Sequence, residues 1–494
     1  LEVRATWSDP TDTRLVAALP SIRLVSAQPA VVLYEQNRTP GRREVLPDGR
    51  HVVTLAPAET WGDTQGQAWR VYVGLTPTLD AAAYTWGPIY GVASADAWAG
   101  LWGPCGAVPV CPPSLGGVDA HFQDVVAAHR ALSAPASIWA APKRLGLQPN
   151  SGQTGGQNDF GATKLARCWR VPEGTPAHLH EAYHAAMQEA CRPGDWRNPD
   201  GSVAEPWAHP NHVTWDGYTH WSRSVSSDRM GKRDGTPAFT GGWRGPDREH
   251  WSNNTLCGTY LLTGSRALRG IVEKQARLFL RGETIDRRLS TSNAGAPRGI
   301  GRTLLAAAWI DCCLDPGELR DRFRERVVRR IVDVIEPQTR KPEGWAVVPV
   351  GTLNDPRAMP VECWAPWQVG LFILGVHAIR ERMETWTAGQ VLDASTARSR
   401  CEVMLDRTCR SWVEFGWWED AQGLWLADYV ATKVGAVPTI EDAVRREGFE
   451  EWMGGAAKIA WAVVTGETAV KARRIVDLLA QNTGSANAVE WESV

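Results

Sequence analysis

The chain is predicted to be α+β, an N-terminal β-sandwich-like domain followed by an (α/α)-toroid of roughly six helical hairpins. Three observations carry this prediction: short alternating strands before residue 118, a change to helical periodicity after it, and a recurring helix–break–helix unit. At 494 residues the chain exceeds one ordinary core, which suits a two-domain division.

Residues 1–117 form the expected β domain. "SIRLVS", "AVVLYEQ", "HVVTLAP" and "WRVYVGLTP" alternate apolar with polar residues or are rich in branched ones, and Gly, Pro and Asp clusters separate them. Helical spacing begins at 118, where "GVDAHFQDVVAAHRAL" opens on an acidic cap and repeats apolar positions at Phe122, Val125 and Val126. Three later stretches share one design: "TLCGTYLLTGSRALRGIVEKQARLFL", "TLLAAAWIDCCLDPGELRDRFRERVVRRIV" and "AAKIAWAVVTGETAVKARRIVDLLA". Each pairs a small-residue apolar helix with a more charged one across TGS, DPG or TGE. The break supplies a Gly for a left-handed residue and a Ser, Asp or Glu for the next helix start. Such pairs bury their apolar faces only by stacking on neighbours. The inner helices "LLAAAWI" and "WQVGLFILG" are apolar all round, which favours enclosure in a ring over an open solenoid. Residues 118–494 are therefore the toroid domain, and 193–246, Gly- and Pro-punctuated without strong period, are an inserted lid or wall.

Composition excludes several classes. Net charge is −2 with both signs interspersed, which argues against nucleic acid or an anionic membrane surface as the main partner. The longest apolar run, "VGLFILGV", falls far short of the ~20 residues that cross a bilayer, so no membrane insertion is expected and the chain is read as soluble. No cleavable leader stands at Leu1, which fits a mature, secreted or virion-associated product whose signal has been removed. The 10 cysteines contain no CxxC pair and are expected to be mostly buried thiols; Cys105 and Cys111 bracket a Pro-rich loop and could pair in an oxidising compartment.

Tryptophan is the unusual total, 26 residues against eight Tyr and eight Phe. Indoles serve cores, but they also stack on sugar rings while their N–H bonds at the edge. Seven Trp fall between Trp169 and Trp251, and seven of the 11 His fall between His178 and His250. Within that window "GPDREHWSNN" (245–254) sets Asp247, Glu249, His250, Trp251 and Asn253 around a helix start that Pro246 favours. The lid supplies Trp215, Asp216, Tyr218, His220, Trp221 and Arg223. Two further helix entrances, "APRGIGRTLLAAAW" and "PVECWAPWQVG", carry Arg298 and Arg302, and Glu362, Trp364, Trp367 and Gln368. A closed ring brings these entrances to one rim.

"GQAWRVYVGLTP", "GVASADAWAGLWGP", "THW", "DREHWSNNTLCGTYLLTGS" and "RGIGRTLLAAAWIDCCLD" occur in an order that resembles the YetA-type group related to exo-acting rhamnogalacturonan lyases, and more broadly the (α/α)-toroid polysaccharide lyases and glycosidases. The resemblance runs from about 60 to 480. It implies a carbohydrate-active enzyme working on a polysaccharide or glycan in the toroid cavity; separately, no cofactor is expected, with a structural metal ion left open. Two chemistries fit. β-Elimination at a uronate needs a cation or amide on the carboxylate (Arg298, Arg302 or Asn253) and a proton mover (Tyr218, His220 or His250). Hydrolysis needs paired carboxyl groups, for which Asp247 or Glu249 facing Glu362 or Asp216 would serve. Trp215, Trp221, Arg223, Trp251, Trp364 and Trp367 would bind the sugar.

Two other readings compete. A non-catalytic glycan-binding protein, an adhesin or virion receptor-binding component, would keep the aromatic platforms without coupled acids and bases. "HEAYH" (180–184) has the spacing of a zinc peptidase, with His180 and His184 as ligands and Glu181 as base.

Overall fold

The computed structural model describes residues 2–6, 16–35, 43–56, 58–62, 66–73, 186, 197–198, 200–208, 254–281, 297–339, 361–386, 394–433, 436–445 and 453–482. Eight N-terminal strands, β1 (Glu2–Thr6), β2 (Val16–Leu19), β3 (Ile22–Ser26), β4 (Ala30–Glu35), β5 (Arg43–Val45), β6 (His51–Ala56), β7 (Glu59–Gly62) and β8 (Gly66–Val73), pair antiparallel. They form three small sheets, ordered β1-β8-β4, β2-β7 and β3-β6-β5. In β3 burial alternates along IRLVS, as the period-2 pattern requires. The β5–β6 turn is set by "PDGR": Gly49 takes a φ of 84°, and Asp48 accepts the Arg50 backbone N–H at 3.1 Å.

Four helix pairs follow. They are α1 (Asn254–Thr263) with α2 (Arg266–Arg281), α3 (Pro297–Cys313) with α4 (Glu318–Arg329), α5 (Pro366–Glu384) with α6 (Ala394–Ser411), and α7 (Gly454–Val463) with α8 (Gly466–Asn482). The breaks at TGS and TGE work as the sequence predicts. Gly264 and Gly466 take φ values of 59° and 66°, and the Gly264 N–H returns to the Tyr260 carbonyl at 2.8 Å. One layer is α1, α3, α5 and α7, each packed on the next; α2, α4, α6 and α8 cover it. The second layer is amphipathic: α2 buries Leu268, Ile271, Val272, Gln275, Ala276 and Phe279, and its Phe279 ring meets Phe323 of α4 with centroids 4.5 Å apart. The six-hairpin ring, the sandwich and the 193–246 lid invoke segments that lie largely outside the described residues.

α3 and α5 lie in backbone contact. A side chain added at Gly301 would strike the Leu371 carbonyl and approach the Phe372 Cα to 2.6 Å; one added at Gly375 would strike the Gly301 carbonyl. Glycine at these two positions is what permits the approach. At the other end of the pair, Asp311 is fully buried and accepts from Arg324 Nε (2.6 Å) and Nη2 (3.1 Å) of α4, Arg382 Nε (2.7 Å) of α5 and Trp386 Nε1 (2.8 Å). The contacts advance together, 298 with 367, 301 with 371 and 311 with 382 and 386, so α3 and α5 run parallel.

One departure from the helical expectation is a sheet within the second half. β9 (Val361–Trp364), β10 (Trp417–Asp420), β11 (Gly423–Lys433) and β12 (Ala443–Arg445) form it, with β11 paired to the other three. Residues 361–364 were expected at a helix entrance; instead they are a strand, with Glu362 opposite Thr432 and Trp364 opposite Val430. The cause is local. Ala365 precedes Pro366, which disfavours the helical region, and it sits at φ −111°, ψ 105°, so α5 starts only at Pro366. Around α6 the chain passes through a π-turn, 412–416, into β10. Lys471 Nζ caps the junction, donating to the Glu414 (3.0 Å) and Trp417 (2.6 Å) carbonyls, and burial lowers its pKa to about 8. Among the described residues, no helix is long and apolar enough to cross a membrane.

Three stability measurements follow from this packing. Gly301→Ala forces backbone off backbone, an overpacking cost of about 1–3 kcal/mol, set against a gain of about 1 kcal/mol in helix preference. A net loss is expected by urea unfolding, with a smaller one for Gly370→Ala, whose new methyl meets the mobile Met453 thioether. Asp311→Asn removes the buried carboxylate that Arg324 and Arg382 share and should cost about 3 kcal/mol. His377 of α5 is mostly buried and near Arg380, which lowers its pKa from 6.5 to about 4. The unfolded chain takes that proton first, so stability contributed by neutral His377 is lost as pH falls from about 6.5 towards 4. His377→Gln should flatten that part of the pH–stability profile.

Candidate functional site

The parallel course of α3 and α5 brings their N-terminal ends together. Each helix end leaves N–H groups without intrahelical acceptors and carries the positive pole of the helix dipole. Two such ends side by side favour an anion more than one alone.

The side chains there reinforce that sign. The Arg298 guanidinium lies over the Trp367 ring, 5.4 Å from its centroid, a cation–π arrangement. Arg302, one turn on, is 5% exposed. Gln368, adjacent to Trp367, is equally buried, and its Oε1 meets no hydrogen-bond donor among the described residues. A buried amide oxygen in that position is costly unless something donates to it. Thr303 Oγ1 donates back to the Gly299 carbonyl at 2.7 Å within the first turns of α3.

Neighbouring elements fix the end of α5. The Trp412 indole N–H, from the π-turn after α6, donates to the Pro366 carbonyl at 2.9 Å. Trp412 is itself fully buried and meets Trp417 edge-on at 5.7 Å. β9 delivers the chain to Pro366 under the constraint of its pairing with β11.

Of the residues named from the sequence, Arg298, Arg302 and Trp367 are brought to one end of the helix pair. Glu362 and Trp364 have defined backbone positions on β9, just before that end. His180, His184, Trp215, Asp216, Tyr218, His220, Trp221, Arg223, Asp247, Glu249, His250, Trp251 and Asn253 lie outside the described residues, as does the Cys105–Cys111 loop. Among the described residues, no group of three His, Cys, Asp or Glu gathers to hold a metal ion.

Sequence reasoning did not single out Asp311 or Trp412. The signal for the first was present: a lone acid inside "LLAAAWIDCC" has no solvated face to occupy and must find buried cations. Trp412 gave no such signal, because its role depends on a partner 46 residues away.

No protein-family model, curated protein or solved structure matches this chain.

Proposed function

We propose that the chain is a carbohydrate-active enzyme that cleaves an acidic polysaccharide by β-elimination, with the substrate carboxylate held at the joined N-terminal ends of α3 and α5. The observation that carries this reading is the pair of cations there, Arg298 against Trp367 and the buried Arg302; beside them the unpaired Gln368 Oε1 would accept from a sugar hydroxyl. Elimination requires the proton α to a uronate carboxylate to become acidic, and cations or amide donors on that carboxylate supply the needed stabilisation as negative charge develops. A guanidinium over an indole ring sets a cation beside an aromatic surface, which suits a sugar ring that carries the carboxylate. Hydrolysis instead asks for two carboxyl groups about 5–9.5 Å apart. The described side chains at this end are cationic and amide, which favours the lyase over the hydrolase.

In this reading Tyr218, His220 or His250 moves the proton, and Trp215, Trp221, Arg223, Trp251, Asn253 and Trp364 extend the sugar-binding surface. The toroid is its scaffold: further hairpins continue the stack of α1, α3, α5 and α7 into a ring, with the helix entrances on one rim.

Incubation with uronate-containing polysaccharides should raise the ultraviolet absorbance of an unsaturated sugar. Arg298→Ala and Trp367→Ala should each lower that rate by about a hundredfold while leaving the melting temperature nearly unchanged. Reducing ends released without absorbance would make it a hydrolase. Glycan binding without turnover would make it an adhesin, and metal-dependent peptide cleavage a zinc peptidase.

A further inference from the structure

Two buried cysteines lie where α1 packs on α3. Cys257 of α1 and Cys313 of α3 are 0% and 5% exposed. Cys313 Sγ stands 3.7 Å from the Cys257 carbonyl oxygen, to which its thiol donates, and the Cys257 side chain is near enough to help raise the Cys313 pKa. The other described thiols do not share this arrangement: Cys401 and Cys409 are buried on α6, two turns apart on that one helix, and Cys312 points to a less buried side of α3.

We infer that Cys257 and Cys313 are joined by a disulfide in the oxidised protein, a covalent staple between α1 and α3 that marks this chain as built for an oxidising compartment. The reaction is an exchange. The two S–H bonds are broken and one S–S bond forms, while two electrons and two protons pass to a small-molecule disulfide such as oxidised glutathione, which leaves as two thiols. Disulfides demand close approach of the two β-carbons, so only residues on touching elements qualify, and α1 packs directly on α3. Burial raises the Cys313 thiol pKa well above its ordinary range, and the neighbouring Cys257 adds to that effect. The attacking thiolate is therefore scarce once the helices have docked, so the bond forms as α1 settles onto α3 during folding. Its placement beside the Asp311 network means that it ties α1 to the same end of α3 that Arg324 and Arg382 already hold.

The test uses the full chain carrying Cys312→Ser, so that only one cysteine remains on that peptide. It is refolded in a glutathione buffer poised like a secretory lumen, alkylated in denaturant and digested without reduction. Mass spectrometry should find the peptide containing Cys257 linked to that containing Cys313, lighter than the sum of the two by two hydrogens, and reduction should separate them. The oxidised form should melt several degrees above the reduced form, and Cys257→Ser should abolish both the linked peptide and that difference. If Cys257 and Cys313 both carry the alkylating group after oxidative refolding, or if either is linked instead to another cysteine, the inference is overturned.

Discussion

Two glycines hold the helical half together by what they lack. Gly301 and Gly375 let the backbones of α3 and α5 touch, and a methyl group at either position would meet main-chain atoms that have nowhere to move. So close a crossing brings many atoms within dispersion range. It also fixes the direction and register of the pair. Asp311 then pins the far end by binding Arg324, Arg382 and the Trp386 indole in one buried cluster, which joins three helices at a single carboxylate. The position of Arg298, Arg302, Trp367 and Gln368 follows from these two constraints, since a parallel pair pinned at one end must present its other ends side by side.

Much of this was legible in the sequence. TGS, DPG and TGE each separate an apolar helix from a charged one, because glycine conformation and capping act within a few residues. The residues on "APRGIGR" and "APWQVG" were legible for the same reason, as positions at the starts of α3 and α5. What escaped was non-local. "VECW" became a strand by pairing with β11 more than sixty residues away, and strand preference depends on such partners more than on the segment itself. For these four residues the proline after Ala365 is the local signal against a helix start.

Tryptophan also divides differently from its total. Trp309, Trp386, Trp412, Trp417 and Trp425 are buried, and two of them spend their N–H on Asp311 and on the Pro366 carbonyl. Trp461, more exposed, is stacked by Arg473. In the described part of the helical half, indoles are therefore mainly packing and positioning groups, and Trp367 is the one that lies at the paired helix ends with Arg298. High tryptophan content alone is a weak guide to a sugar site; an indole at a cationic helix end is a stronger one, because it joins an apolar face to a charge that selects the ligand.

The most direct test of this account is a crystal structure of the full chain with a uronate oligosaccharide bound. The account predicts α3 and α5 side by side and parallel, with a sugar carboxylate contacting Arg298 and Arg302 beside Trp367 and a sugar hydroxyl donating to Gln368. An oligosaccharide seated elsewhere, or α3 and α5 crossing in opposite directions with Gly301 and Gly375 apart, would contradict it.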